Sequence, residues 1–174
     1  MDVLEAIKTR RSSRSFEQRP LEAEVLKAIE AAVINSPSGS NAQESHFVIV
    51  QEPDQVRRIK RFAPGLSGHP AAVIVLCSNR HEALVRGGDD TAEVLRFVNM
   101  GISAGYILLS TFSLGIGTCP VRSFHRAAIK KIIQLPEYIE PELLISVGYA
   151  AELPRPKISK PVTEVISYDR YGHR

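Results

Sequence analysis

From Phe97 to Val121 the sequence runs for 25 positions without a charged residue. A stretch this apolar has few places to go in a chain of 174 residues. A membrane-spanning helix needs about 20 predominantly apolar residues. Here Asn99, Ser103, Ser110, Thr111, Ser113 and several glycines cut the stretch into short apolar runs. The reading is therefore a long helix over 92–114, apolar nearly all round and buried in a core or a dimer interface rather than in a membrane. Gly101 and Gly105 would let another backbone approach closely. The helix breaks at Leu114-Gly115-Ile116-Gly117.

The rest of the chain fits one domain, 1–174. Aromatic residues are only 6% and Trp is absent, so the core must be aliphatic. Residues 2–9 read as a short amphipathic helix with Val3, Leu4 and Ile7 inward. Pro20 opens a second helix over 21–34, with Leu21, Val25, Leu26, Ile29, Ala32 and Val33 at helical spacing. The turn-rich stretch 35–45 is a loop. Strands are expected at 46–51, over the apolar run 71–77, and at 142–149. Asp54 would cap a short basic helix ending near Phe62. Residues 79–91 read as a polar loop and 125–134 as a helix. Strands and helices alternate irregularly, which predicts a mixed α+β domain.

Composition excludes several function classes. The net charge of +3 is small, and the positives that cluster, Arg10, Arg11 and Arg14 and then Arg57, Arg58, Lys60 and Arg61, are too few for a nucleic-acid binder, so nucleic-acid binding is not expected. The start Met-Asp-Val-Leu-Glu lacks a basic leader and an apolar run, so no signal peptide is expected and the location read is cytoplasmic. Cys77 and Cys119 form no C-x-x-C and sit in apolar surroundings, as buried free thiols would. The five histidines have no metal-ligand spacing, and no phosphate loop or complete G-x-G-x-x-G occurs. Gly101-Ile102-Ser103-Ala104-Gly105 matches the nucleophile-elbow pattern, but it lies inside a helix and reads as helix packing.

What remains points to an anion. Arg10, Arg11, Ser12 and Arg14 crowd a helix end, and arginine offers paired N–H donors with a permanent charge, as a phosphate requires. The alternative is a solvated basic turn. Ser36 to Gln43 is dense in hydrogen-bonding groups and suits either the edge of a polar heterocycle or an ordinary polar turn. Leu114 to Val121 brings a helix end and close-approach glycines. Lys157 and Lys160 stand in a Pro- and Lys-rich tail and are either surface lysines or further anion ligands.

In this order the features resemble one family, the FMN-dependent nitroreductases. Arg10-Arg11-Ser12-Ser13-Arg14-Ser15-Phe16 resembles its R-[RH]-S-x-[RK]-x-F signature. Ser36-Pro37-Ser38-Gly39-Ser40-Asn41-Ala42-Gln43 resembles its P-S-x-x-N-x-Q element. Leu114 through Pro120 with Phe124, Val147-Gly148-Tyr149 and Lys160-Pro161-Val162-Thr163-Glu164-Val165 follow in sequence. The resemblance implies a mostly antiparallel sheet flanked by helices, in an intertwined homodimer with FMN at the subunit interface. The helix 97–114 would be the dimer core, and 153–174 an extension packing on the partner. The resemblance places Arg10, Arg11 and Ser12 on the FMN phosphate and ribityl chain, helped by Lys157 or Lys160, and Arg14 near the pyrimidine end. Pro37, Ser38 and Gly39 would come from the partner subunit and Asn41 from the same subunit as Arg10. Pro120, Arg122 and Ser123 would line the flavin near N5, chiefly through the backbone. No metal and no protein acid–base pair is implied, because the flavin carries the chemistry.

Two positions depart from the pattern. Glu44-Ser45 stands where many members have Pro-Trp, and Arg122-Ser123 where many have Glu-Gly. The segment between Cys77 and Glu93 is too brief for the helices that cover the flavin in larger members, which implies a substrate side that is either open or ordered differently. The expected activity passes two electrons from NAD(P)H to a nitroaromatic, quinone or similar small acceptor by a ping-pong route. Dehydrogenation or dehalogenation on the same flavin, or non-catalytic flavin binding, are the other readings.

Overall fold

The computed structural model describes residues 1–153 and 155–173. Four strands form one antiparallel sheet: β1 (Ser45–Val50), β2 (Ala72–Asn79), β3 (Ile116–Val121) and β4 (Ile139–Tyr149), in the order β1-β2-β4-β3. The register pairs Val48 with Val75, Ile74 with Ile145 and Thr118 with Val147. β2 has strands on both sides and helices on both faces, so every residue from Ala72 to Ser78 is buried. This explains its unbroken apolar sequence.

Side chains alternate across a strand, and the two faces build two cores. Val73, Val75 and Cys77 point to one face with Val121 and Leu144, packed under Val56 and Ile59 of α3 (Pro53–Arg61) and Ile129 of α6 (Arg126–Ile132). Ala72, Ile74 and Leu76 point to the other with Ile145 and Val147. There they meet Val25 and Ile29 of α2 (Ala23–Ile34) and Met100, Ala104 and Ile107 of α5 (Arg96–Ser113). Both cysteines are free and buried, and burial pushes the Cys77 thiol up to about 12, with Glu142 and Glu140 adding to the shift.

Several local expectations are corrected. Residues 79–91 are not a loop: Asn79 accepts from the Glu82 N–H at 3.1 Å and caps α4 (Arg80–Asp90). α4 kinks at Gly88 and runs through a π turn, Thr91–Leu95, into α5. Only Ala83 of α4 is buried, so its sequence lacks the apolar stripe that announces a helix. Ile116–Val121 is an edge strand, not merely a helix break. Asp54 lies inside the first turn of α3, whose flanking position is Glu52 with Pro53 at the first helical residue. Near the C-terminus, residues 162–165 form a single helical turn, α7 (Val162–Val165).

The apolar face of α1 (Val3–Thr9) is also not inward. Val3, Leu4 and Ile7 are exposed, and Ala6 alone is buried. The most apolar stretch of the helical run Arg80–Ser113 is only 33% buried. Met100, Ala104 and Ile107 of α5 enter the core, while Phe97, Val98, Gly101 and Tyr106 stay exposed. A Cβ added to Gly101 or Gly105 would meet nothing within 4 Å. No close approach within the chain therefore requires either glycine.

Candidate functional site

α1 ends where the basic cluster begins. The Arg10 N–H closes the helix on the Ala6 carbonyl at 2.9 Å, and extended torsions at Arg10 send the chain onto the sheet edge. Ser12 bridges Thr118 in parallel, and the Ser13 N–H donates to the Thr118 carbonyl at 3.0 Å. Phe16 bridges Ala150, and the Glu17 N–H donates to Tyr149 at 2.9 Å. The segment 10–16 is thus strapped to β3 and β4. Gly117 makes the close approach possible, since a Cβ there would lie 2.5 Å from Ser13 Oγ and 2.7 Å from Ser13 Cβ. Gly68, at φ +66°, is needed for the same reason, because its Cβ would stand 2.6 Å from the Arg14 carbonyl oxygen.

This placement sets the electrostatics. Burial, with the adjacent Arg11 charge, holds the Arg10 guanidinium below its ordinary value, while Cys119 pulls the other way. Arg10 Nη1 is buried with no hydrogen-bond partner, and so is Thr118 Oγ1 on the bridged strand. A buried donor without a partner costs about 1–3 kcal/mol, more when charged. A phosphate would supply the acceptor and the countercharge together. Arg11 is partly engaged otherwise: its Nη1 donates to the Lys8 and Arg10 carbonyls at 2.9 and 2.8 Å and caps the end of α1. Ser12 is half-buried and Arg14 exposed.

The second predicted element lies elsewhere in the chain. Pro37 is exposed and Ser38 and Gly39 are half-buried, around a short 3-10 turn, Gly39–Asn41. Ser40, Asn41 and Gln43 all have positive φ, a cluster of left-handed residues that non-glycine side chains seldom adopt. Side-chain ties fix them. Asn99 Oδ1 accepts from the Gly39 N–H at 2.9 Å, and Ser36 Oγ meets Ser103 Oγ at 2.7 Å. Gln43 Nε2 donates to Asn41 Oδ1 at 2.7 Å. Asn99 Nδ2 in turn donates to Glu44 Oε1 at 3.0 Å, while Glu44 Oε2 is buried and unpartnered. Among the described residues no hydrogen bond joins this loop to segment 10–16 of the same chain.

The third element is the end of β3. Pro120 is exposed on the edge strand, Val121 buried, and Arg122 and Ser123 exposed. The Ser123 carbonyl accepts from the Gly65 N–H at 3.3 Å. The fourth is not gathered: Lys157 and Lys160 lie in a tail exposed throughout its described part, with no hydrogen bond or ion pair to Arg10–Arg14 among the described residues. A cavity of about 500 Å³ sits apart, between Glu17–Pro20, α3 and His69–Ala71, and none of the predicted cofactor residues lines it.

Sequence reasoning missed Glu142, which is buried in β4 and receives Arg96 at 2.8 Å and Arg126 at 2.5 Å. The signal was present as an acid directly preceding the mostly apolar run Leu143 to Val147. It also passed over Asn99 and Ser103 as ligands of the 36–44 loop, although they are polar residues in an otherwise apolar helix.

The family model for the nitroreductase family matches residues 7–72 and 63–149, which span the strapped segment, the loop and the whole sheet. The chain belongs to the nitroreductase family. A Methanothermobacter thermautotrophicus protein named for NADH dehydrogenase/NAD(P)H nitroreductase is 30% identical over 162 residues, covering 88% of this chain and 80% of that protein. FMN reductase [NAD(P)H] of Bacillus subtilis is 24% identical, over 98% of this chain and 74% of that one. The crystal structure of a nitroreductase family protein from Clostridium difficile superposes with a TM-score of 0.87 at 23% identity, covering 98% of this chain and 99% of that one. The fold is the nitroreductase fold, α+β with a four-stranded antiparallel sheet.

Proposed function

We propose that this nitroreductase family member is an FMN-dependent NAD(P)H oxidoreductase, working as a homodimer in the cytoplasm. The observation that carries the reading is Arg10, whose Nη1 is buried and unpartnered at the start of the segment strapped to β3. That guanidinium, with Ser12 and the free donors of Arg11, would hold the FMN phosphate and ribityl chain. Lys157 or Lys160 would join them from the tail. Arg14 would face the pyrimidine end and favour negative charge there by Coulomb attraction. Pro120, Arg122 and Ser123 would offer backbone groups near N5. When bound, FMN supplies hydride acceptance from NAD(P)H and two-electron delivery to a nitroaromatic, quinone or similar acceptor, in alternate half-reactions. The protein's own part is to neutralise the phosphate, orient the ring and shield it from water.

Two observations support the dimer. The apolar faces of α1 and α5 are uncovered, and Gly101 and Gly105 face open space. The tail leaves the body after the Ala151 N–H donates to Ser15 at 3.1 Å, and its Leu153, Ile158 and Val162 are exposed. A second copy would bury these faces and bring Pro37, Ser38 and Gly39 to the flavin from across the interface, with Asn41 contributed by the subunit that carries Arg10.

Gel filtration after adding FMN tests the reading. The protein should leave the column with the flavin visible absorbance and oxidise NAD(P)H steadily once an acceptor is present. Colourless protein refutes it. Retained flavin without turnover on any donor and acceptor favours a flavin-binding protein without catalysis.

A further inference from the structure

Glu142 is 2% exposed near the middle of β4, and three guanidiniums converge on it. Its Oε1 accepts from Arg96 Nη1 at 2.8 Å and from Ser78 Oγ at 3.3 Å. Its Oε2 accepts from Arg126 Nη2 at 2.5 Å, and Arg122 Nη2 lies 3.8 Å away. The neighbouring acids are paired with other cations. Glu140 on the same strand is taken by Lys130 at 2.5 Å, and Glu93 by Arg80. Arg96, Arg122 and Arg126 thus share the single carboxylate of Glu142.

The three arginines are not equivalent. Arg96 is the inner partner, 12% exposed, and satisfies the buried acid. Arg122 and Arg126 are outer partners, 57% and 41% exposed. A guanidinium carries five N–H donors. Among the described residues Arg126 uses one, and Arg122 makes no hydrogen bond. An ion pair made by an exposed guanidinium adds little stability, so the outer two arginines are not needed to hold the fold. Exposed guanidiniums steadied by a buried anchor are instead prepared to receive an anion, because less freedom is lost on binding. Their position matters as much: Arg122 directly follows Pro120-Val121, and Arg126 opens α6 four residues later.

We propose that Arg122 and Arg126, anchored on Glu142, recognise a carboxylate or phosphate group on the electron donor or acceptor and so select anionic substrates. This rests on the flavin reading of the Pro120–Ser123 segment. The anion has two possible sources, an acidic acceptor or the extra phosphate of NADPH.

The test compares kcat/KM for 4-nitrobenzoate against 4-nitrobenzyl alcohol, and separately for NADPH against NADH. It uses wild type, Arg122→Gln, Arg126→Gln and the double variant. The anionic-to-neutral ratio should fall about tenfold or more in the double variant in one arm, as loss of charge-assisted bonds requires, and that arm names the source. Unchanged ratios in both arms overturn the proposal. Calorimetric titration with benzoate and with inorganic phosphate gives a readout without turnover. Wild type should bind one of them and the double variant should not; no binding by wild type, or equal binding by both, overturns it. If the double variant does not fold, the two single variants carry the same comparisons. Flavin absorbance of wild type separates the two readings: a flavin-free protein refutes the oxidoreductase reading, while the titrations still decide the arginines.

Discussion

Gly117→Ala is the sharpest perturbation of the strapped segment. The new methyl would lie 2.5 Å from Ser13 Oγ, 2.7 Å from Ser13 Cβ and 3.2 Å from Ala150 Cβ. Ser13 is 8% exposed, so its Cβ cannot swing clear, and the backbone of 12–14 must lift from β3. Overpacking of this kind costs about 1–3 kcal/mol. Losing the Ser13–Thr118 hydrogen bond adds about 1 kcal/mol, for a total of about 2–4 kcal/mol. Because Arg10 is held through this strap, part of that cost should appear as weaker FMN binding, each 1.4 kcal/mol being about tenfold in Kd. The assay is urea unfolding of the FMN-free protein together with FMN titration by flavin fluorescence. Wild-type stability and FMN affinity in Gly117→Ala would refute the argument that the strap needs a glycine there.

Other substitutions probe different parts of the account. Arg10→Ala should weaken FMN binding by about 1.5–3 kcal/mol, the usual worth of hydrogen bonds to charged groups, with Arg10→Lys recovering part; fluorescence titration reads both. Glu142→Ala removes the counterion of the inner Arg96 and should cost about 3–5 kcal/mol, measured by urea unfolding. Gly101→Leu should leave the fold intact yet shift sedimentation toward a monomer, because the added side chain fills a face open within one chain. Cys77, its thiol pushed up to about 12, should resist alkylation in the folded protein at pH 8 and react once unfolded. The sign follows for stability: the folded state keeps that proton where the unfolded thiol has lost it, so stability falls as pH rises from about 9 toward 12.

How much of this was readable in the sequence depends on what each residue reports. The cores of α2 and β2 were legible because Val25, Ile29 and the run Ala72 to Cys77 announce their burial by period and continuity. β3 was not, since Gly117 and Pro120 are poor strand residues. Gly117 is there for Ser13, and Pro120 is tolerated because it lies on the edge strand beyond Thr118, where segment 10–16 makes its bridge. α4 was hidden by its polarity, with Ala83 its single buried residue. Val3, Leu4 and Ile7 were read correctly as an apolar face but assigned to the wrong surface. Periodicity reports that a face is apolar and says nothing of what covers it. The basic cluster at Arg10–Arg14 was legible from residue types alone, whereas the orphaned Arg10 Nη1 needed three dimensions. Glu142 was illegible as the hub of three arginines, because Arg96, Arg122 and Arg126 reach it from separate elements.

The central claim is that the strapped Arg10 segment receives a flavin phosphate. Parallel titrations of the purified protein with FMN and with riboflavin, which differ only in that phosphate, test it most directly. The account predicts that FMN binds much more tightly than riboflavin and that Arg10→Ala abolishes the difference. Equal affinity for the two flavins, or no binding of either, would contradict it.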